Sequence, residues 1–272
     1  MCQTCGCTVT HGNRHLVQPG GMLAHTGRGT ESVSLLRNLL SQNDHQAQHN
    51  RQHFDSHQVL AINLMSSPGA GKTALLERTI ESLGGRLRMA VIEGDLATEN
   101  DARRIRAKGV PAIQITTGNA CHLDAHMVHD SLHSLDLAQL DIVFIENVGN
   151  LVCPASFDLG QHVNVTLLSV PEGDDKPEKY PVMFRTSDLL LLSKCDLLGV
   201  LPEFNVERAV ASLRQIASDA PVMQVSARTG AGFEAWTGWI VEQLESHRAL
   251  VAAGAIHRPE VAPDILYVEA PV

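Results

Sequence analysis

One turn narrows the fold more than any other stretch of this chain. Ser66-Ser67-Pro68-Gly69-Ala70-Gly71-Lys72-Thr73 joins the apolar run Val59–Met65 to the helical pattern Ala74–Leu83, which Gly84-Gly85 closes. An apolar run without alternation reads as a strand covered on both faces, and a tight glycine turn then leads directly into a helix. The rhythm repeats. Strands are expected at Met89–Glu93, Ala112–Thr116, Ile142–Glu146, Val163–Val170, Leu189–Ser193 and Val222–Val225. Helices are expected at Glu99–Lys108, Cys121–Leu135, Val206–Ser218 and Phe233–Glu245. Apolar strands alternating with helices imply an α/β fold, a mostly parallel sheet of about seven strands flanked by helices on both faces.

The turn itself resembles a P-loop, so the core is expected to be a P-loop NTPase. Gly69, Ala70 and Gly71 would offer unobstructed backbone amides to phosphate, and the following helix points its N-terminus at the anion. Lys72 is placed to reach the β and γ phosphates and Thr73 to ligate Mg2+. The usual first glycine is Ser66 here. Acidic residues fall at the carboxyl ends of strands, where such a nucleotide needs them: Glu93-Gly94-Asp95 with Asp101 beyond, and Glu146-Asn147-Val148-Gly149. Asp95, Asp101 and Glu146 are candidates to hold Mg2+ or its waters and to orient an attacking water. Gly149 is a candidate γ-phosphate sensor.

Base choice is read from Ser193-Lys194-Cys195-Asp196, similar to the Asn-Lys-x-Asp signature of GTPases with Ser193 in place of Asn. Asp196 would accept from guanine N1 and N2 while Lys194 packs across the ring, a pairing adenine cannot match. Ser226-Ala227-Arg228 looks like the companion loop whose backbone reads guanine O6. Together these favour GTP, with GDP as product, over ATP.

Composition separates the N-terminal part from the rest. Of 14 histidines, seven precede residue 59, and three of six cysteines fall within the first seven residues. With 21 basic against 30 acidic residues, the net charge of −9 argues against a nonspecific nucleic-acid binder or a basic membrane-surface protein. The N-terminus lacks a basic region followed by an apolar one, and no apolar run reaches the ~20 residues of a bilayer span, so a cytoplasmic location is expected. Cysteines crowded at one end of such a chain favour metal or reactive thiols over a disulfide scaffold.

Three ligand sets follow. Cys2, Cys5 and Cys7 put three thiols on one short peptide, suited to Ni2+ or Zn2+ rather than Mg2+. Cys121 and His122 at the expected helix start, His126 one turn on, and Cys153 four residues beyond Gly149 form the second. By spacing alone these are divided evenly between metal ligands and ordinary core or helix-surface residues. His45, His49, His53 and His57 would stack on one helix face, either as weak chelating pairs or as a solvated face.

The assembly as a whole resembles the HypB family of hydrogenase nickel-incorporation GTPases. MCQTCGC, Asn43-Asp44 with Asn50-Arg51, NLMSSPGAGKT, EGD, TTGNACHLDAHMV, IENVGNLVCPASFDLG, PEGDDKPEKYP, LLSKCD and SART carry the likeness, from residue 1 to about 245. The resemblance implies a nickel metallochaperone with slow GTPase turnover. It places the tight nickel site on Cys2, Cys5 and Cys7, and a nickel or zinc site on Cys121, His122 and Cys153 with His126 as a further ligand. It assigns Asp101 and Glu146 as switch acids and Lys194 and Asp196 as base readers. The implied partners are a second copy in a GTP-promoted homodimer, a HypA-type zinc/nickel protein, the hydrogenase large-subunit precursor and a metal-binding prolyl isomerase. Nucleic acid and membrane are not expected partners. The alternatives are a related GTPase serving urease or a cobalamin enzyme, and a nickel/zinc buffer without productive turnover. The expected organisation is a flexible metal-binding tail over 1–30, a helical His-containing segment over 31–57, the GTPase domain over 58–246 and a tail over 247–272.

Overall fold

The computed structural model describes residues 29–95, 99–118, 120–216, 218–255 and Pro259, with side chains described from residue 39 onward. Cys2, Cys5 and Cys7, and residues 260–272 of the expected tail, lie outside the described residues. In chain order the elements are α1 (Gly29–Ser56), β1 (Leu60–Ser66), α2 (Lys72–Leu83), β2 (Met89–Asp95), α3 (Asn100–Ala107), β3 (Ala112–Thr116), α4 (Ala125–Leu132) and β4 (Ile142–Glu146). There follow β5 (Val163–Ser169), the short helices α5 (Lys176–Lys179) and α6 (Pro181–Arg185), β6 (Leu189–Ser193), α7 (Val206–Gln215), β7 (Val222–Val225) and α8 (Phe233–Ala252).

The seven strands form one sheet in the order β3-β2-β4-β1-β5-β6-β7, and every pairing is parallel. β1 is buried along its whole length, as its unbroken apolar run predicts. Its alternate residues Leu60, Ile62 and Leu64 pack with α2, α3 and α8, while Ala61 faces α1 and α4. All strands run the same way, so the turns after β1, β2, β4, β6 and β7 gather along one edge of the sheet.

Three segments differ from the sequence expectation. Cys121 and His122 are not in a helix: α4 begins at Ala125, capped by Asp124, whose carboxylate accepts from the Met127 N–H at 2.9 Å. His122 and His126 therefore do not share a helix face. α8 continues past Glu245 to Ala252 because its last turns are held down. His247 is buried against His162, and Arg248 donates to Asp141 at 2.7 Å. Asp141 also takes Arg88, so one carboxylate ties the starts of β2 and β4 to the end of α8. Between β5 and β6, where no element was expected, a capping box at Ser169–Glu172 leads into α5 and α6.

α1 runs on to Ser56, although hydrophobic periodicity supports a helix only as far as Leu40. Beyond it, Asn43, Ala47, Asn50, Arg51 and Phe54 are all buried. These positions recur at helical spacing, but the face they form is polar and is held by hydrogen bonds. Asn43 donates to Asp158 O at 2.8 Å and accepts from the Ala125 N–H at 2.9 Å, and Arg51 pairs with Asp158 at 2.7 Å. Asp55, at the end of the helix, accepts from His162 Nε2 at 3.1 Å.

Candidate nucleotide and metal site

The phosphate loop leaves β1 and enters α2 through Gly71, whose φ of 100° is a left-handed conformation that glycine adopts without strain. α2 has no side-chain cap and no acidic residue in its first turn. Its leading amides and positive dipole end are thus left for an anion rather than for the chain's own carboxylates. Lys72 is buried in the loop and donates to Ser66 Oγ at 3.0 Å. Burial pushes its pKa down, opposed by the charges of Glu146, Glu172, Asp101 and Glu93.

Thr73 Oγ1 donates to Glu146 Oε1 at 2.8 Å. The second oxygen of Glu146 and Oε2 of Glu93 are buried with no hydrogen-bond partner among the described residues. Burial raises the pKa of Glu93 to about 8 and of Glu146 to about 7, with nearby carboxylates adding to both shifts. Two under-partnered carboxylates beside a buried lysine and a threonine hydroxyl suit a divalent cation, which supplies the charge they lack. Asp95 sits half-buried at the end of β2. Asp101, in the first turn of α3, is more open and pairs with Arg104 at 2.8 Å.

The loops expected to read the base are tied to the phosphate loop. Ser193 Oγ donates to Ala70 O at 2.7 Å, and Lys194 Nζ donates to Gly69 O at 2.7 Å. Ser193, which departs from the GTPase signature, thus supplies a tether between the two loops. Asp196 accepts from Ser226 Oγ at 2.6 Å, which aims its carboxylate and fixes the Ser226-Ala227 turn beside it.

Cys121, His122 and Cys153 converge, their ligand atoms all within 4.8 Å of one another. The sulfurs lie 3.0 Å apart, and His122 Nδ1 is 3.9 Å from Cys121 Sγ. His122 stacks on Phe157 with ring centroids 3.9 Å apart, which fixes the plane of the imidazole. The hydrogen bond between the thiols holds Cys121 well below the usual thiol range and pushes Cys153 above it, with His122 adding to the first shift. His126, half-buried on the first turn of α4, is not among the residues that converge.

The segment 146–153 joins the two sites. Gly149 lies so close to the phosphate loop that a Cβ there would come within 2.8 Å of Pro68 Cα. Asn150 donates its backbone N–H to Ser66 O at 2.8 Å, while its side-chain oxygen accepts from Val152 N–H at 2.7 Å and Cys153 N–H at 3.4 Å. Asn147 accepts from the N–H of Leu123, next to His122, at 3.2 Å, and its amide donates to Asn63 Oδ1 at 3.3 Å. Asn150 was not among the residues expected from the sequence. Its signal there is modest: a short polar residue following Gly149 in a loop between buried elements.

Comparisons with known proteins match the chain to one family. The family model described as CobW/HypB/UreG, nucleotide-binding domain, matches residues 60–224. Hydrogenase maturation factor HypB of Azotobacter vinelandii is 50% identical over 235 residues, covering 82% of this chain and 77% of that protein. The protein of the same name from Escherichia coli K12 is 50% identical over 205 residues, covering 75% and 70%. The crystal structure of HypB from Helicobacter pylori in complex with nickel aligns with a TM-score of 0.73 at 39% identity, over 76% of this chain and 97% of that one. HypB from Archaeoglobus fulgidus aligns with a TM-score of 0.70 at 38% identity, over 75% and 100%.

Proposed function

This chain belongs to the HypB family of hydrogenase maturation factors, and on that premise we propose how its residues serve a GTP-hydrolysing nickel metallochaperone. The phosphate loop Gly69–Thr73 binds the triphosphate, with Lys72 on the β and γ phosphates. Thr73 and Asp95, with Glu146 behind them, hold Mg2+, which neutralises phosphate charge when bound. Glu146, balanced near neutrality, orients the attacking water, assisted by Asp101 as the switch on α3 rearranges. Water adds to the γ-phosphorus as the bond to the β–γ bridging oxygen breaks, giving GDP and phosphate. Lys194, Asp196 and the Ser226-Ala227 turn read guanine.

Nickel is cargo. In this reading Cys2, Cys5 and Cys7 hold it most tightly, and Cys121, His122 and Cys153 form the nucleotide-linked site, able to take nickel or zinc. Both thiols are half-exposed, and exposed Val152 lies beside Cys153. A fourth ligand or a covering surface from a second copy would complete this site, which favours a GTP-promoted homodimer. A HypA-type donor, a hydrogenase large-subunit precursor and a metal-binding prolyl isomerase remain partners implied by the resemblance.

The hydrogen bonds of Asn147 and Asn150 carry this reading, because they join the γ-phosphate side of the site to both halves of the thiol–imidazole group. Guanine dependence is tested by competition of GTP, ATP and XTP for turnover. GTP is expected to outcompete ATP by a wide margin, and Asp196→Asn to shift preference towards XTP. Equal competition by ATP in the unaltered protein contradicts the assignment of the base readers.

A further inference from the structure

Away from the nucleotide, the histidine ladder on α1 divides. His49 and His53 turn towards α4 and meet His129, the ligand atoms of the three lying within 4.8 Å of one another. Ring centroids are 4.5 Å apart for His49–His53, 5.0 Å for His49–His129 and 5.6 Å for His53–His129. The ring of His133, the C-cap of α4, has its centroid 4.9 Å from that of His129. A cleft lined by His53, His57, His129, His133 and Asp136 opens beside the group. His45 is exposed and is not part of it.

The proton on His129 is set by its neighbour. The Asn50 amide donates to Ala125 O at 2.7 Å and Leu159 O at 3.0 Å, which fixes the side chain with its oxygen towards His129 Nδ1 at 3.0 Å. That oxygen can only accept, so His129 carries its proton on Nδ1 and turns the Nε2 lone pair outward. A buried carbonyl that fixes tautomer and ring plane in this way is the usual support of a metal-ligating histidine. With metal–nitrogen bonds of about 2.0–2.1 Å, donors on one ion stand no more than about 4.2 Å apart, so small ring rotations close the set.

We propose that His49, His53 and His129, with His133 at the rim, form an imidazole-only site for a borderline divalent cation such as Ni2+ or Zn2+, clamping α1 to α4. Its position gives it a role. α1 leads in from the cysteine-bearing N-terminal segment, and α4 starts three residues after His122, so a cation here fixes one helix against the element next to the thiol site.

The test is a titration of the full-length protein with Ni2+, and separately with Zn2+, following total bound metal and the thiolate-to-nickel charge-transfer absorption together. The unaltered protein is expected to bind an equivalent of nickel beyond the point where that absorption saturates. His129→Gln and His53→Gln should each weaken that equivalent roughly tenfold or more, while His45→Gln leaves it in place. Metal should also raise the melting temperature less in His129→Gln than in the unaltered protein. Circular dichroism and GTP turnover confirm folding, and if His129→Gln fails to fold, His53→Gln decides alone. Binding that survives the two cleft substitutions, or that His45→Gln weakens as much as His53→Gln does, overturns the proposal.

Discussion

Glu146 stands where phosphate chemistry, cation binding and stability meet. It is buried, bonded to Thr73 and close to Lys72, yet its pKa is raised to about 7 because burial outweighs those partners. Between its ordinary value of 4.5 and about 7, the folded protein holds a proton that the unfolded chain has lost. Stability of the nucleotide-free protein therefore falls as pH rises through that window, and Glu93, raised to about 8, extends the fall. Glu146→Gln keeps the acceptor for Thr73 and removes the charge. It is expected to stabilise the nucleotide-free protein at pH 8 by on the order of 2 kcal/mol and to abolish most GTP turnover. Urea unfolding at pH 5 and pH 8 checks the first part, and an unchanged pH slope in the variant contradicts it. At this scale the candidate residues were legible where chemistry is written in residue type, as in Lys72, Thr73 and Asp196, and in Cys121 and Cys153, which meet in space. Asn147 and Asn150 were less so, because what they do depends on two loops meeting in space.

The strands were legible as elements because burial on both faces leaves nothing but apolar residues to read. Two helices show where that signal fails. α1 is packed by a polar face, so hydrophobic periodicity fades after Leu40 although Asn43, Ala47, Asn50, Arg51 and Phe54 recur at helical spacing. α8 extends past Glu245 because Asp141, 107 residues away in sequence, receives Arg248. A partner so distant leaves no local trace. The α1 face makes a measurable prediction. Arg51→Ala leaves Asp158 buried without its cation and should cost about 3–5 kcal/mol in urea unfolding. Arg51→Met with Asp158→Asn removes both charges and should recover part of that loss. If Arg51→Ala costs no more than a surface substitution, α1 is not anchored by this pair.

At the scale of the whole molecule, a parallel sheet brings the turns after its strands to one edge, and the loop after β4 spans the short distance from the phosphate loop to the Cys121, His122 and Cys153 group. Three residues separate Gly149, packed on Pro68, from Cys153, whose N–H is held by Asn150. A loop this short, bonded at both ends, cannot change shape at the phosphate and leave the sulfur where it was. Metal and nucleotide must then affect each other equally, with coupling typically worth ~1–3 kcal/mol, or roughly 5–150-fold in affinity. The most direct test is nickel affinity at Cys121, His122 and Cys153 in full-length protein carrying Cys2→Ser, Cys5→Ser and Cys7→Ser, with GDP and with a non-hydrolysable GTP analogue. The two nucleotides are expected to give affinities at least fivefold apart, with Asn150→Ala shrinking the difference while GTP still binds. Equal nickel affinities in both nucleotide states would contradict the coupling and leave a GTPase and a metal binder that merely share a chain.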